Sequence, residues 1–125
     1  MTKIFMSILV FILPGVLMAA PISAENVKCT AKYFEVLPDG NARKAESVLK
    51  VTDDSTAHLL LETELEGRGY VFNGPKKNGP YMLTISKAPD YTFGSNTTGE
   101  FSAEGRLQVS VVEGNIVHKL ECYRR

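Results

Sequence analysis

Cys29 and Cys122 are the residues of this 125-residue chain best suited to chemistry, and they stand near its two ends. A cysteine pair can close a disulfide, bind a metal as thiolates, or carry electrons as a C-x-x-C dithiol. The wide spacing excludes the dithiol. A metal set would need His58 and His118 to complete a Cys2His2 group, and the four positions match no zinc spacing. A disulfide is the reading that remains. Strand alternation places Cys29 on one face with Val27 and Ala31, and Cys122 on one face with Ile116 and Leu120. Both sulfurs then sit on apolar strand faces, and the first and last strands are expected to be neighbours. No metal and no cofactor is expected.

The two histidines come next. His118, between Ile116 and Leu120, could serve as a general base or be a packed histidine with a backbone partner. The packed reading is preferred: Gly-x-Ser-x-Gly is absent, and a disulfide consumes both thiols. His58 is expected to face solvent. Asp53-Asp54 and the alternating Glu62, Glu64 and Glu66 could supply oxygen ligands or an acid/base pair, but alternating glutamates more simply form a solvated strand face. No catalytic residue is assigned. The candidate partner-binding loops are Lys76-Lys77, framed by Asn73-Gly74-Pro75 and Asn78-Gly79-Pro80, and the segment 89–99 with Tyr91 and Phe93. Aromatic and charged loops over a rigid sheet are a common recognition device. The alternative for the two aromatics is a lid folded back on the core.

Positioning these residues falls to short runs rich in Val, Ile, Leu, Thr, Tyr and Phe, separated by Gly-, Pro-, Asn- and Asp-rich turns. The pattern predicts strands over 26–36, 44–52, 57–65, 69–73, 81–86, 101–112 and 116–123, the sixth being one bulged strand or two. The segment 44–52 also fits a helical stripe, but its β-branched end favours a strand. Phe34 and Val36 break the alternation of the first strand, which predicts either a bulge near Tyr33 or an end covered on both faces. The expected fold is all-β: a small antiparallel meander of about seven or eight strands closing as a barrel or sandwich.

Residues 1–24 read differently. Lys3 is their only charge, an apolar run follows, and Ser23-Ala24 supplies small residues at a cut. This is the pattern of a signal peptide helix, with cleavage expected after Ala24 and a single β domain over 25–125. The expected location is secreted or periplasmic, an oxidising setting that favours the disulfide. No basic stop-transfer flank follows, so no stable membrane insertion is expected after cleavage. All 14 acidic residues and 13 of the 14 basic ones lie after residue 24, a net charge of −1 with both histidines neutral. That balance gives no electrostatic case for nucleic acid. The expected function is a non-enzymatic binding or interaction module for a protein or glycan. A carrier of a small apolar ligand in a barrel interior ranks second, and a small hydrolase using His118 with a carboxylate third.

Overall fold

The computed structural model describes residues 21–87, 90 and 92–125, the side chains of Thr92 and Phe93 excepted. Nine strands and no helix are present among them: β1 (Val27–Val36), β2 (Ala42–Val48), β3 (Lys50–Asp54), β4 (His58–Leu65), β5 (Arg68–Pro75), β6 (Tyr81–Lys87), β7 (Thr92–Gly99), β8 (Arg106–Glu113) and β9 (Ile116–Arg124). They form a four-stranded sheet in the order β2-β1-β9-β8 and a five-stranded meander β3-β4-β5-β6-β7, antiparallel throughout. The sheets are not joined into a closed barrel. They share one core, with Val27, Cys29, Ala31, Val109 and Leu120 from the first and Leu59, Leu61, Phe72, Leu83 and Ile85 from the second. Burying each Val, Leu, Ile or Phe side chain among them stabilises the fold by about 1.5–3 kcal/mol. Phe72, Tyr81 and Phe101 add an aromatic group at one end, with ring centroids 5.2–6.1 Å apart.

Three expectations about the strands are corrected. The run 44–52 is not one strand, because the chain crosses between sheets at Leu49. That side chain is buried, and its N–H donates to the Cys29 carbonyl at 2.9 Å. The segment 89–99 is not all loop: β7 pairs with β6 through Thr92↔Lys87, Ser95↔Ile85 and Thr97↔Leu83. Its sequence hides this because an edge strand needs no run of large apolar residues, and Ser95, Asn96, Thr97 and Thr98 give none. The first strand has no bulge. β1 pairs in continuous register with β2 on one side and β9 on the other, so Phe34 and Val36 simply point outward.

The expected proximity of the terminal strands holds. Cys29 lies opposite Cys122 in the β1–β9 ladder, and the two are bonded, both almost fully buried. Of the segment 1–24, residues 1–20 lie outside the described residues, so the signal helix is not described. Residues 21–24 are part of the packed unit. Ile22 is fully buried in the shared core, and its N–H donates to the Lys76 carbonyl at 3.0 Å.

Candidate functional site

The two candidate loops flank β6 in the chain. Lys76 and Lys77 follow β5 and precede β6, whereas the segment bearing Tyr91 and Phe93 follows β6, so the length of β6 separates them. Tyr91 lies outside the described residues, as does the side chain of Phe93. Lys76 is structural: its ammonium pairs with Asp54, and its carbonyl receives Ile22. The Asp54 carboxyl, held below the usual carboxylate range chiefly by Lys76, also accepts the Ala24 N–H at 3.3 Å. Lys77 remains exposed.

The opposite end of the sandwich carries a polar seam that sequence reasoning met only as single residues. Three of its pairs cross between the sheets. Arg43 of β2 pairs with Glu66 in the β4–β5 turn, Arg68 of β5 with Glu113 of β8, and Tyr70 of β5 meets His118 of β9. Glu66 holds φ +49° for this role, beside Gly67 at +75°. Both central residues of the two-residue hairpin are thus left-handed, a conformation that glutamate adopts at some cost. Tyr33 completes the seam: its hydroxyl donates to Glu35 at 2.8 Å, and its ring meets His118 edge-on at 5.5 Å.

His118 is 4% exposed, and its partners are side chains rather than backbone. Nδ1 lies 3.3 Å from the Tyr70 hydroxyl and Nε2 3.5 Å from Glu113 Oε1. Burial pushes the Tyr70 hydroxyl up to about 12, so it stays protonated. With an acceptor carboxylate beside Nε2 and a hydroxyl donor beside Nδ1, the neutral ring carries its proton on Nε2. Both nitrogens therefore have side-chain partners, and the ring is almost fully buried. Desolvation, then the nearby Arg68, lowers its proton affinity below the ordinary value of 6.5, while Glu113 and Glu66 oppose this. A histidine kept neutral in the folded state costs stability when the unfolded chain takes up protons first. Stability is thus expected to be unaffected by this group above pH 6.5 and to decline as pH falls below it. His118→Gln should remove that part of the slope, read by urea unfolding at closely spaced pH values. A slope unchanged by the substitution would refute the assignment.

Two outer faces remain. That of the five-stranded sheet bears an open groove of about 760 Å³. Gly69, Val71 and Ser86 form its floor, and Lys50, Glu62 and Glu64 flank it, with Thr52 donating to Glu62 at 2.9 Å. Its rim is charged, and the exposed Val51 lines it as well.

The outer face of β2-β1-β9-β8 is different in kind. Among the described residues, seven large hydrophobic side chains are exposed, and strand alternation places five of them here: Phe34, Val36, Val48, Val112 and Tyr123. Val112 is 67% exposed. Register aligns Lys44, Phe34, Val117 and Val112 in one row across all four strands. The same face holds Lys28, Lys32, Lys44, Arg106 and Lys119 against two carboxylates, Glu46 and Glu121. Glu121 is buried beneath its neighbours: Lys32 donates to it at 2.9 Å and the Tyr123 hydroxyl at 3.0 Å, with Lys119 and Arg106 at 3.6 and 3.7 Å. These partners, Lys32 foremost, hold its carboxyl below the usual range. A hollow of about 300 Å³ opens between β1 and β2, lined by Lys32, Phe34, Lys44, Ala45 and Glu46 among others. The Lys44 ammonium stands 5.7 Å from the centre of the Phe34 ring. The sequence signal for this face was the broken alternation at Phe34 and Val36.

The chain matches no protein-family profile, no curated protein and no solved structure. The functional reading therefore rests on this geometry alone.

Proposed function

We propose that the protein is an exported, non-enzymatic binding module that engages its partner through the outer face of β2-β1-β9-β8. The observation that carries this reading is the gathering of five exposed apolar side chains and five cations on one sheet face. Interaction sites combine contiguous exposed apolar surface with a polar rim. Phe34, Val117 and Val112 with the neighbouring Val36 supply such a patch, Val48 and Tyr123 standing beyond the charged row of Lys32, Glu46 and Lys119. The disulfide suits the periplasm or the exterior, where such bonds persist. The space between the sheets is filled by the core side chains, which lends no support to an interior ligand carrier. The burial of His118 lends none to a hydrolase.

The test is capture from the host's envelope or extracellular fraction by the native protein and by a Phe34→Ala/Val112→Ala variant. Both residues are exposed, so the variant is expected to fold with its disulfide intact. A partner held by the native protein and lost by the variant supports the reading. An unchanged set of partners on the folded variant overturns it.

A further inference from the structure

We infer that the partner docked on β2-β1-β9-β8 is an acidic protein segment, which places an apolar side chain in the hollow over Phe34 with carboxylates on either side. The inference rests on the binding face proposed above and names its partner.

Charge decides the class. The face has five cations against Glu46 and Glu121, and Glu121 is already enclosed by Lys32, Lys119, Arg106 and Tyr123. Lys28 and Lys44 have no ion-pair partner among the described residues. The other outer face carries Glu62 and Glu64 against Lys50, so the molecule is polarised although its net charge is nearly zero. A partner of opposite sign is attracted at long range, and a second copy offering the same face is repelled.

Shape decides the rest. The hollow is sized for one or two side chains, with Phe34 on its floor and Lys32 and Lys44 at its rim. A buried aliphatic or aromatic anchor with charges at its edge is the usual anatomy of a protein contact. A bilayer is disfavoured. The face itself carries Glu46, exposed beside the hollow, and the adjoining β1–β2 turn carries Asp39, and both carboxylates would meet the lipid headgroups.

The experiment is selection of random peptides displayed on phage against the disulfide-bonded protein made from the full chain. Phe34→Ala and Lys44→Glu variants serve as comparisons, with circular dichroism and thiol assay as folding checks. Enriched peptides are expected to carry an aliphatic or aromatic residue flanked by Asp or Glu. A synthetic copy of one should bind roughly tenfold more weakly to either variant and lose affinity as salt rises. It should also shift the amide resonances of β1 and β2. Neutral or basic peptides that still require Phe34 would overturn the acidic partner and leave the binding face standing. Peptides indifferent to both substitutions, or no enrichment, would overturn both. Sedimentation with phosphatidylcholine–phosphatidylglycerol vesicles, lost on Lys44→Glu, would replace the protein partner with a lipid surface. Concentration-dependent dimerisation lost on the same substitution would replace it with a second copy.

Discussion

Replacing both Cys29 and Cys122 by alanine is expected to lower the stability of the folded protein by about 4–5 kcal/mol. The bond spans 93 positions of sequence, so it closes nearly the whole domain into one loop. In the folded state it joins residues that the β1–β9 ladder already holds opposite each other. Its removal therefore leaves the native contacts largely in place and acts through the unfolded chain, which gains the freedom of two untethered ends. A loss of that size is a large share of the stability of a small domain. Urea unfolding of the oxidised protein and the double variant measures it. If the midpoints lie within a few tenths of a molar, the chain-entropy account fails here. The reduced wild-type protein should behave like the variant, since the two differ only by buried sulfur.

Ile22→Ala should cost about 2–5 kcal/mol, the range for deleting most of a buried aliphatic side chain. Ile22 is fully buried, and its backbone is fastened by Lys76, whose own N–H reaches the Ala57 carbonyl at 2.9 Å. A chain beginning at Glu25 loses the same side chain together with the Ala24–Asp54 hydrogen bond, and should be no more stable than Ile22→Ala. Cleavage after Ala24 would deprive the domain of part of its core, so under the proposed export the mature chain is predicted to begin upstream of Ile22. Intact-mass measurement of the exported protein gives the N-terminus directly. Equal urea midpoints for chains beginning at Pro21 and Glu25 would show that Ile22 contributes nothing.

The first strand illustrates where reading the sequence stops. Its alternation assigns Val27, Cys29 and Ala31 to the interior, and the structure agrees. Phe34 and Val36 then depart from the pattern, and a rule that sends apolar residues inward can only propose a bulge or a second cover. Register continuity excludes the bulge and turns the departure into an exposed row. His118 is a similar case. Its parity makes it inward, but nothing local says that the residue opposite it across the sandwich is Tyr70, 48 positions away in the chain. Glu66 belonged to an alternating acidic series, and only the strand pairing shows that it sits in a two-residue hairpin, which requires a left-handed residue there, and that it faces Arg43.

The sequence by itself determined the all-β class, the inward set of most strands and the pairing of Cys29 with Cys122. Those follow from period-two alternation, turn residues and cysteine number, which are local or arithmetic signals. The tertiary structure alone decided that two sheets form rather than one closed barrel, that β7 is a strand and that Ile22 belongs to the core. It also decided that Lys76 and the start of β7 at Thr92 lie at opposite ends of β6, and that apolar and basic side chains collect on one face. The physical reason is the same for each: they depend on which strands lie side by side, and pairing between distant segments is set by the packing of the whole chain rather than by any window of it.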